Sequence, residues 1–308
     1  MSSSALAASG IIRIGTRGSP LALAQAHETR QRLMQAHGLP ESQFEIVVIS
    51  TTGDRILNQP LADIGGKGLF TMEIEEALQA ETIDLAVHSM KDMPAQLPDG
   101  LGFAAVLPRE DARDAFVSLS AKSLKDLPTG AVLGSSSVRR NAQALRIRPD
   151  LQPVQFRGNV QTRMRKLNDG VAAATFLAVA GLNRLGMAQH ISSIMEMTEM
   201  LPAVAQGAIG IEIKDTNTRA RHLVEAIHHV TTGIAITCER AFLAELEGSC
   251  RTPIAGHAIV SSNEIHFRGQ ILSLDGRNSV ECEVGGRIKD AAKLGVNAAR
   301  ELLAKQAG

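Results

Sequence analysis

Between Asp84 and Pro94 the sequence passes from apolar to reactive within a few residues. Residues 84–87 read as a short buried strand with a β-branched valine. His88, Ser89, Lys91 and Asp92 then put an imidazole, a hydroxyl, an ammonium and a carboxylate into five positions. Pro94 ends the strand, because proline has no N–H for a ladder. In open α/β sheets ligands sit beyond the carboxyl ends of strands, so acid–base groups stand here where a site is expected. The competing reading is a plain strand end with a Lys91–Asp92 surface pair, which adds little stability.

A second cluster is basic. From Arg139 to Lys166 there are eight basic residues (Arg139, Arg140, Arg146, Arg148, Arg157, Arg163, Arg165, Lys166) and one acid, Asp150. Arg139 and Arg140 open a helix directly after three serines. Backbone N–H groups at a helix start, hydroxyls and guanidinium forks together receive carboxylates or phosphates. Arg13 and Arg17 flank an earlier strand–helix turn of the same kind. The implied ligand is a polyanion. Duplex nucleic acid and a small molecule with several carboxylates both meet that description, and two lobes around a cleft favour the small molecule. Cys250 sits in a Gly-Ser-Cys-Arg turn after a helix, where Arg251 favours thiolate. Cys238 and Cys282 read as small buried core residues.

The elements that must position these groups follow in order. Ile11–Ile14 reads as a strand, Pro20–His37 as a helix with Ser19 as N-cap and Gly38 as its stop. Phe44–Ser50 is a strand, Thr51–Asp54 a turn, Gly65–Gly68 a flexible loop, Leu69–Ala80 a helix and 84–88 a strand. A boundary falls near Pro108–Asp111. A second α/β unit follows: strand Ala131–Leu133, helix Val138–Ile147, strand Val154–Phe156, helix Val160–Leu167 and strand Ala172–Val179. Ala208–Ile213 reads as a strand that crosses back into the first unit. Alternation of this kind predicts mostly parallel sheets covered on both faces. The last eighty residues differ. A helix over Cys238–Leu246, hairpin signals at Ser262-Asn263 and Asp275-Gly276 and a helix over Lys289–Lys305 predict a small α+β domain with helices on one face of an antiparallel sheet.

Composition narrows the function. The chain has 308 residues, 44% hydrophobic and 21% charged, with formal net charge zero, which disfavours a globally basic nucleic-acid binder. It has no Trp or Tyr, so aromatic base-stacking platforms are scarce. No apolar run is long enough to span a bilayer. Residues 1–10 read as a loose tail without the basic start and apolar core of a secretory signal. Three cysteines without metal-ligand spacing point to a reducing compartment, the cytoplasm.

Seven stretches in one order resemble the porphobilinogen deaminase (hydroxymethylbilane synthase) family. They are Arg13–Leu23, Gly65–Phe70, Val87–Asp92, Gly134–Arg140, Arg157–Arg163, Leu201–Gly207 and Leu246–Cys250. The resemblance covers about residues 11–305. It implies two similar doubly wound α/β lobes like type II periplasmic binding proteins, plus a small α+β C-terminal domain. The corresponding boundaries are 11–108 with 203–226, 109–202 and 227–308. It implies a dipyrromethane cofactor in thioether linkage to Cys250. It also implies the reaction: four porphobilinogen molecules lose ammonia and are joined head to tail into hydroxymethylbilane, a step of tetrapyrrole (haem) synthesis. By family position Asp92 is the catalytic acid and counter-charge. Lys91, Asp92, Ser137, Arg139, Arg140, Arg157, Arg163 and Arg184 hold the cofactor. Arg13, Arg17, Ser19, Lys67, Ser89 and Gln206 bind substrate, with Asp54 in support. The resemblance implies a monomer that binds a small molecule, with no nucleic acid and no membrane. Two departures stand out: Asp63 where many relatives have Lys, and Ser249 where Gly is more usual. A non-enzymatic binding protein on the same scaffold is the alternative; the missing export signal and Cys250 speak against it.

Overall fold

The structure, a computed structural model, describes residues 10–55, 68–247 and 252–307. The expected tail, the loop up to Lys67, Asp63 and the turn with Ser249 and Cys250 lie outside the described residues.

In chain order the elements are β1 (Ile12–Thr16), α1 (Pro20–His37), β2 (Phe44–Val48), α2 (Thr52–Arg55), α3 (Met72–Gln79), β3 (Leu85–Ser89) and β4 (Leu101–Val106). Next come β5 (Asp114–Ser118), β6 (Val132–Gly134), α4 (Val138–Ile147), β7 (Gln152–Val154), α5 (Val160–Asn168), β8 (Ala174–Ala178), α6 (Val179–Arg184) and β9 (Ser193–Ile194). The chain ends with β10 (Ile209–Lys214), α7 (Thr218–Glu225), α8 (Val230–Glu245), β11 (Ile254–Ser261), β12 (Glu264–Leu272), β13 (Ser279–Arg287) and α9 (Ala291–Ala307).

Local chemistry explains the first helix. Ser19 accepts a hydrogen bond from Ala22 N at 3.3 Å, and Pro20 fills the first helical position. Gly38 ends the helix in the left-handed region at φ 64°, donating its N–H to Met34 O. The buried positions Ala22, Gln25, Ala26, Thr29 and Leu33 recur at helical spacing and lie on one face. Ala26 and Leu33 of that face join Ile12, Ile14, Leu85, Val87, Ile209, Ile211 and Ile213 in one apolar core.

The described residues form two compact units. One holds residues 10–55 and 68–109 with Ala208–Gly233; the other holds Glu110–Gly207 with residues 234–247 and 252–307. Their five-stranded sheets run β2-β1-β3-β10-β4 and β7-β6-β8-β5-β9. In each, three strands are parallel and the fourth runs antiparallel to its neighbours. The fourth strand is β10 in one sheet and β5 in the other; β10 returns from beyond the second lobe, whereas β5 opens its own lobe's continuous segment. Two similar α/β lobes are what the resemblance implied, and the two sheets share one strand order. In the second unit a separate antiparallel sheet, β11-β12-β13, completes the fold. Phe242 of α8 packs on Phe267 of β12 with ring centroids 4.8 Å apart. Cys238 and Cys282 are buried there, and burial pushes their thiols up to about 12 and about 11.

Candidate active site

The first lobe assembles a pocket where β1 and β3 end. The β3 strand is buried up to His88, then Met90–Asp92 forms a single 3-10 turn that carries Lys91 and Asp92. Around the pocket stand Arg17, Ser19, Ser89 and Asp92, together with Gln25, Phe70 and His88. Arg17 donates from Nε to Asp54 Oδ2 at 3.1 Å and pairs a second time through Nη2. Its guanidinium lies 4.3 Å from the Phe70 ring centroid, a cation–π geometry. Burial works against the Asp54 carboxylate, but hydrogen bonds from Arg17 and Thr51 hold its pKa below the usual value. Gln25 donates to Ser89 Oγ at 2.8 Å and so fixes a hydroxyl beside Asp92. Asp92 itself is exposed.

Behind the pocket, His88 Nε2 stands 2.9 Å from Glu212 Oε2, although the approach is off line for a hydrogen bond. Burial raises the pKa of the adjacent Glu75.

The second lobe gathers basic groups around a carboxylate that the sequence did not single out. Ser137 caps α4 by accepting from Arg140 N at 3.4 Å. Arg139 and Arg140 are 5% and 6% exposed. Asp114, at the start of β5, is fully buried between them. Its Oδ2 is 2.8 Å from Arg139 Nη1; its Oδ1 accepts from Arg140 Nη2 at 2.6 Å and Nε at 3.0 Å. Gln206 donates to the same oxygen at 3.0 Å and to Ala112 O at 2.7 Å. One carboxylate faces two guanidinium groups, which leaves a buried surplus of one positive charge. Desolvated charge of this kind is stabilised by a further anion.

Arg184 donates from both terminal nitrogens to Gly207 O at 3.2 Å. At the start of α5, Arg163 Nε donates to Gly158 O at 2.9 Å, and the Arg157 carbonyl accepts from Lys166.

Two of the expected substrate residues stand away from the Asp92 pocket. Arg13 does not join the pocket: it holds Asp84 through its backbone N (2.7 Å) and its Nε (3.2 Å). Asp84 precedes β3 and Asp92 follows it, and a five-residue strand spans about 16 Å. The parallel register of β1 and β3, with Ile14 opposite Leu85, keeps Arg13 at the Asp84 end. Gln206 is 1% exposed; its amide steadies Asp114 inside the second lobe instead of lining the Asp92 pocket. Gln25, Phe70 and Asp114 were missed. Only Phe70, inside the motif that ends at residue 70, carried a sequence signal.

Residues 12–222 match the family model described as "Porphobilinogen deaminase, dipyromethane cofactor binding domain", and residues 234–304 match that of the "Porphobilinogen deaminase, C-terminal domain". The chain belongs to the porphobilinogen deaminase family. A porphobilinogen deaminase from Paracoccus denitrificans (strain Pd 1222) is 58% identical over 291 residues, 94% of this chain and 93% of that protein. Solved structures with the same general likeness are far more distant. The Bordetella pertussis BvgS VFT2 domain (double mutant F375E/Q461E) is 16% identical, covering 73% of this chain and 89% of that one, with TM-score 0.44. A periplasmic binding protein from Brucella ovis is 14% identical, covering 80% and 71%, with TM-score 0.41.

A porphobilinogen deaminase needs a home for the carboxylates of dipyrromethane, which carries an acetate and a propionate on each pyrrole. The buried surplus charge at Arg139 and Arg140 fits that requirement, as does the start of α4, which leaves N–H groups and Ser137 beside them. Among the described residues no helix is long and apolar enough to cross a membrane.

Proposed function

We propose that the chain joins four porphobilinogen molecules head to tail into hydroxymethylbilane, releasing four ammonia, with Asp92 as its catalytic carboxylate. The observation that carries this reading is the Asp92 pocket, which brings together four of the expected site residues at the end of β3. Loss of ammonia from an aminomethyl pyrrole requires a protonated nitrogen and leaves positive charge on the ring. A carboxylate beside the substrate holds that proton at the leaving nitrogen and then offsets the ring charge as the C–N bond breaks. Ser89, oriented by Gln25, and Arg17, oriented by Asp54 and Phe70, position the substrate. Ser19 serves twice, as helix cap and as pocket wall. When bound, dipyrromethane supplies the pyrrole carbon to which the first substrate is joined. Arg139, Arg140 and Ser137 hold its carboxylates, with Lys91, Arg157, Arg163 and Arg184 in support and Cys250 as its covalent anchor. Lys67 is assigned to substrate. Because each added unit brings two more carboxylates, arginines serve the lengthening chain without any nucleic acid. The proposed organisation is three domains, 11–108 with 203–226, 109–202 and 227–308, in a cytoplasmic monomer.

Intact mass decides the chemistry. The purified chain is expected to exceed its sequence mass by two porphobilinogen units less two ammonia, and a Cys250→Ala variant to lack the excess. Added porphobilinogen is expected to raise the mass in steps of one such unit. If neither the preparation nor the substrate-treated chain departs from the bare mass, the enzyme reading fails. Arg13 within β1 and Arg17 just after it are expected to separate: Arg17→Ala raises KM about tenfold, the loss of one charge-assisted contact, whereas Arg13→Ala leaves KM within about threefold. Equal effects in steady-state assays would count against the placement of Arg13 at the Asp84 end.

A further inference from the structure

In the second unit, the small antiparallel sheet meets the arginine helix through one turn. Residues 273–278 connect β12 to β13, with Ser273 N donating to Asn278 O at 2.9 Å and Gly276 N to Ser273 O at 3.0 Å. Asp275 Oδ1 accepts from Arg277 N at 3.1 Å, which stiffens the tip. Gly276 has φ 72°, and a Cβ placed on it would lie 2.2 Å from Ala142 O and 2.8 Å from Arg146 N. The turn therefore rests backbone against backbone on α4, and both the contact and the left-handed φ require glycine.

A side-chain clasp sits beside that contact. Arg146 Nη1 reaches Glu281 Oε1 at 2.5 Å and Ser279 Oγ at 3.2 Å. Gln270 Nε2 holds the same Glu281 oxygen at 2.8 Å. Arg139, Ala142 and Arg146 stand at i, i+3 and i+7, along one face of the helix. Gln143, in the same helix, exchanges hydrogen bonds with Leu201: Leu201 N donates to its Oε1 at 2.7 Å and its Nε2 donates to Leu201 O at 3.0 Å. The Arg146–Glu281 pair is 46% and 42% exposed, so it adds little stability. Its consequence is positional.

We propose that the β12–β13 turn is a positioning element for the cofactor site. Gly276 and the Arg146–Glu281 clasp fix α4, and with it Arg139 and Arg140, against the domain whose chain carries Cys250. The inference rests on the reading of Arg139 and Arg140 as cofactor-carboxylate residues. A group tethered to a cysteine in one domain and gripped by guanidinium groups on another is sensitive to the distance between them. Misplacement of such groups by 1 Å can cost about a hundredfold in rate.

Charge reversal and rescue test it. Full-length chain with Cys250 unmodified is mixed with porphobilinogen, and attachment of the dipyrromethane is followed by intact mass. Arg146→Glu and Glu281→Arg are each expected to slow loading about tenfold, with circular dichroism and melting temperature unchanged. The double variant R146E/E281R is expected to recover to within about threefold of the parent. Gly276→Ala, which presses on the α4 backbone, is expected to slow loading more than either charge change. Single variants that load at the parent rate, or a double variant no faster than the slower single, overturn the proposal. A parent chain that never loads is a different result: it removes the proposed function and with it the basis of the inference.

Discussion

Asp92→Asn is expected to lower kcat by about 10²- to 10⁴-fold, the usual contribution of a positioned acid–base group, while KM changes little and the fold stays intact. Asn keeps the shape and can still accept a hydrogen bond, but it can neither deliver a proton to the leaving nitrogen nor offset a full positive charge. An interaction made mainly in the transition state lowers kcat and kcat/KM together. Stability is expected to hold because Asp92 is exposed, in a single 3-10 turn after β3, so removing its charge strands no buried partner. The framework around it is unaffected: Gln25 still orients Ser89, and Asp54 still orients Arg17. Steady-state kinetics beside a melting curve checks both halves. Turnover within about fivefold of the parent would remove Asp92 from the acid–base role, and a collapsed melting curve would show a structural role instead.

Capped elements were the most legible part of the sequence. The helix over Pro20–His37 is found with both expected ends, because Ser19, Pro20 and Gly38 are local signals that act on their own backbone. The same holds for Val138–Ile147, started by Ser137. Strand ends slipped by a residue or two, as with Ala172–Val179 against Ala174–Ala178, because a strand stops where its neighbour stops pairing. The α8 helix begins at Val230 rather than Cys238. Its first turn, Val-Thr-Thr-Gly, has poor helix propensity, and tertiary packing overrides that preference. Thr51–Asp54, read as a turn, overlaps the short α2, which runs Thr52–Arg55. That β10 lies between β3 and β4 is a long-range pairing that no local pattern encodes.

In the site, contiguity decided what could be read. Ser89 and Asp92 share one motif, Arg17 and Ser19 another, and the sheet brings both motifs to one pocket. Arg13 shares a motif with Arg17, yet four residues along a strand take it to the Asp84 end. Asp114 was invisible because its partners, Arg139 and Arg140, lie 25 and 26 positions away, and it follows a stretch, Pro108–Asp111, read only as a domain boundary. The charge asymmetry between Arg139 and Lys166 pointed to the right region, but the buried carboxylate that organises its first two members could be found only in three dimensions.

That carboxylate yields the largest expected stability effect: Asp114→Asn is expected to cost about 3–5 kcal/mol, as when one partner of a buried ion pair is removed. The variant leaves two guanidinium groups, each at least nine-tenths buried, with no counter-charge. Asn can accept from one of them but brings no charge to either. Burial alone would push the Asp114 pKa up, yet Arg139 and Arg140 hold it far below the usual carboxylate range. The sign of the pH effect follows. A carboxylate depressed in the folded state stabilises the protein fully above its unfolded value, near 3.9, and loses that contribution as pH falls toward the folded value. The gap between parent and variant is therefore expected to be full at pH 7 and to begin closing below about pH 4. Urea unfolding at pH 7 and again near pH 3 measures it. A cost under about 1 kcal/mol at pH 7, the scale of an exposed pair, would show that the two arginines find other partners. A gap that does not shrink in acid would show that Asp114 acts through shape and hydrogen bonding rather than charge. The full expected pattern would identify Asp114 as the group that keeps two cations buried beside the start of α4, where the proposed function places the cofactor carboxylates.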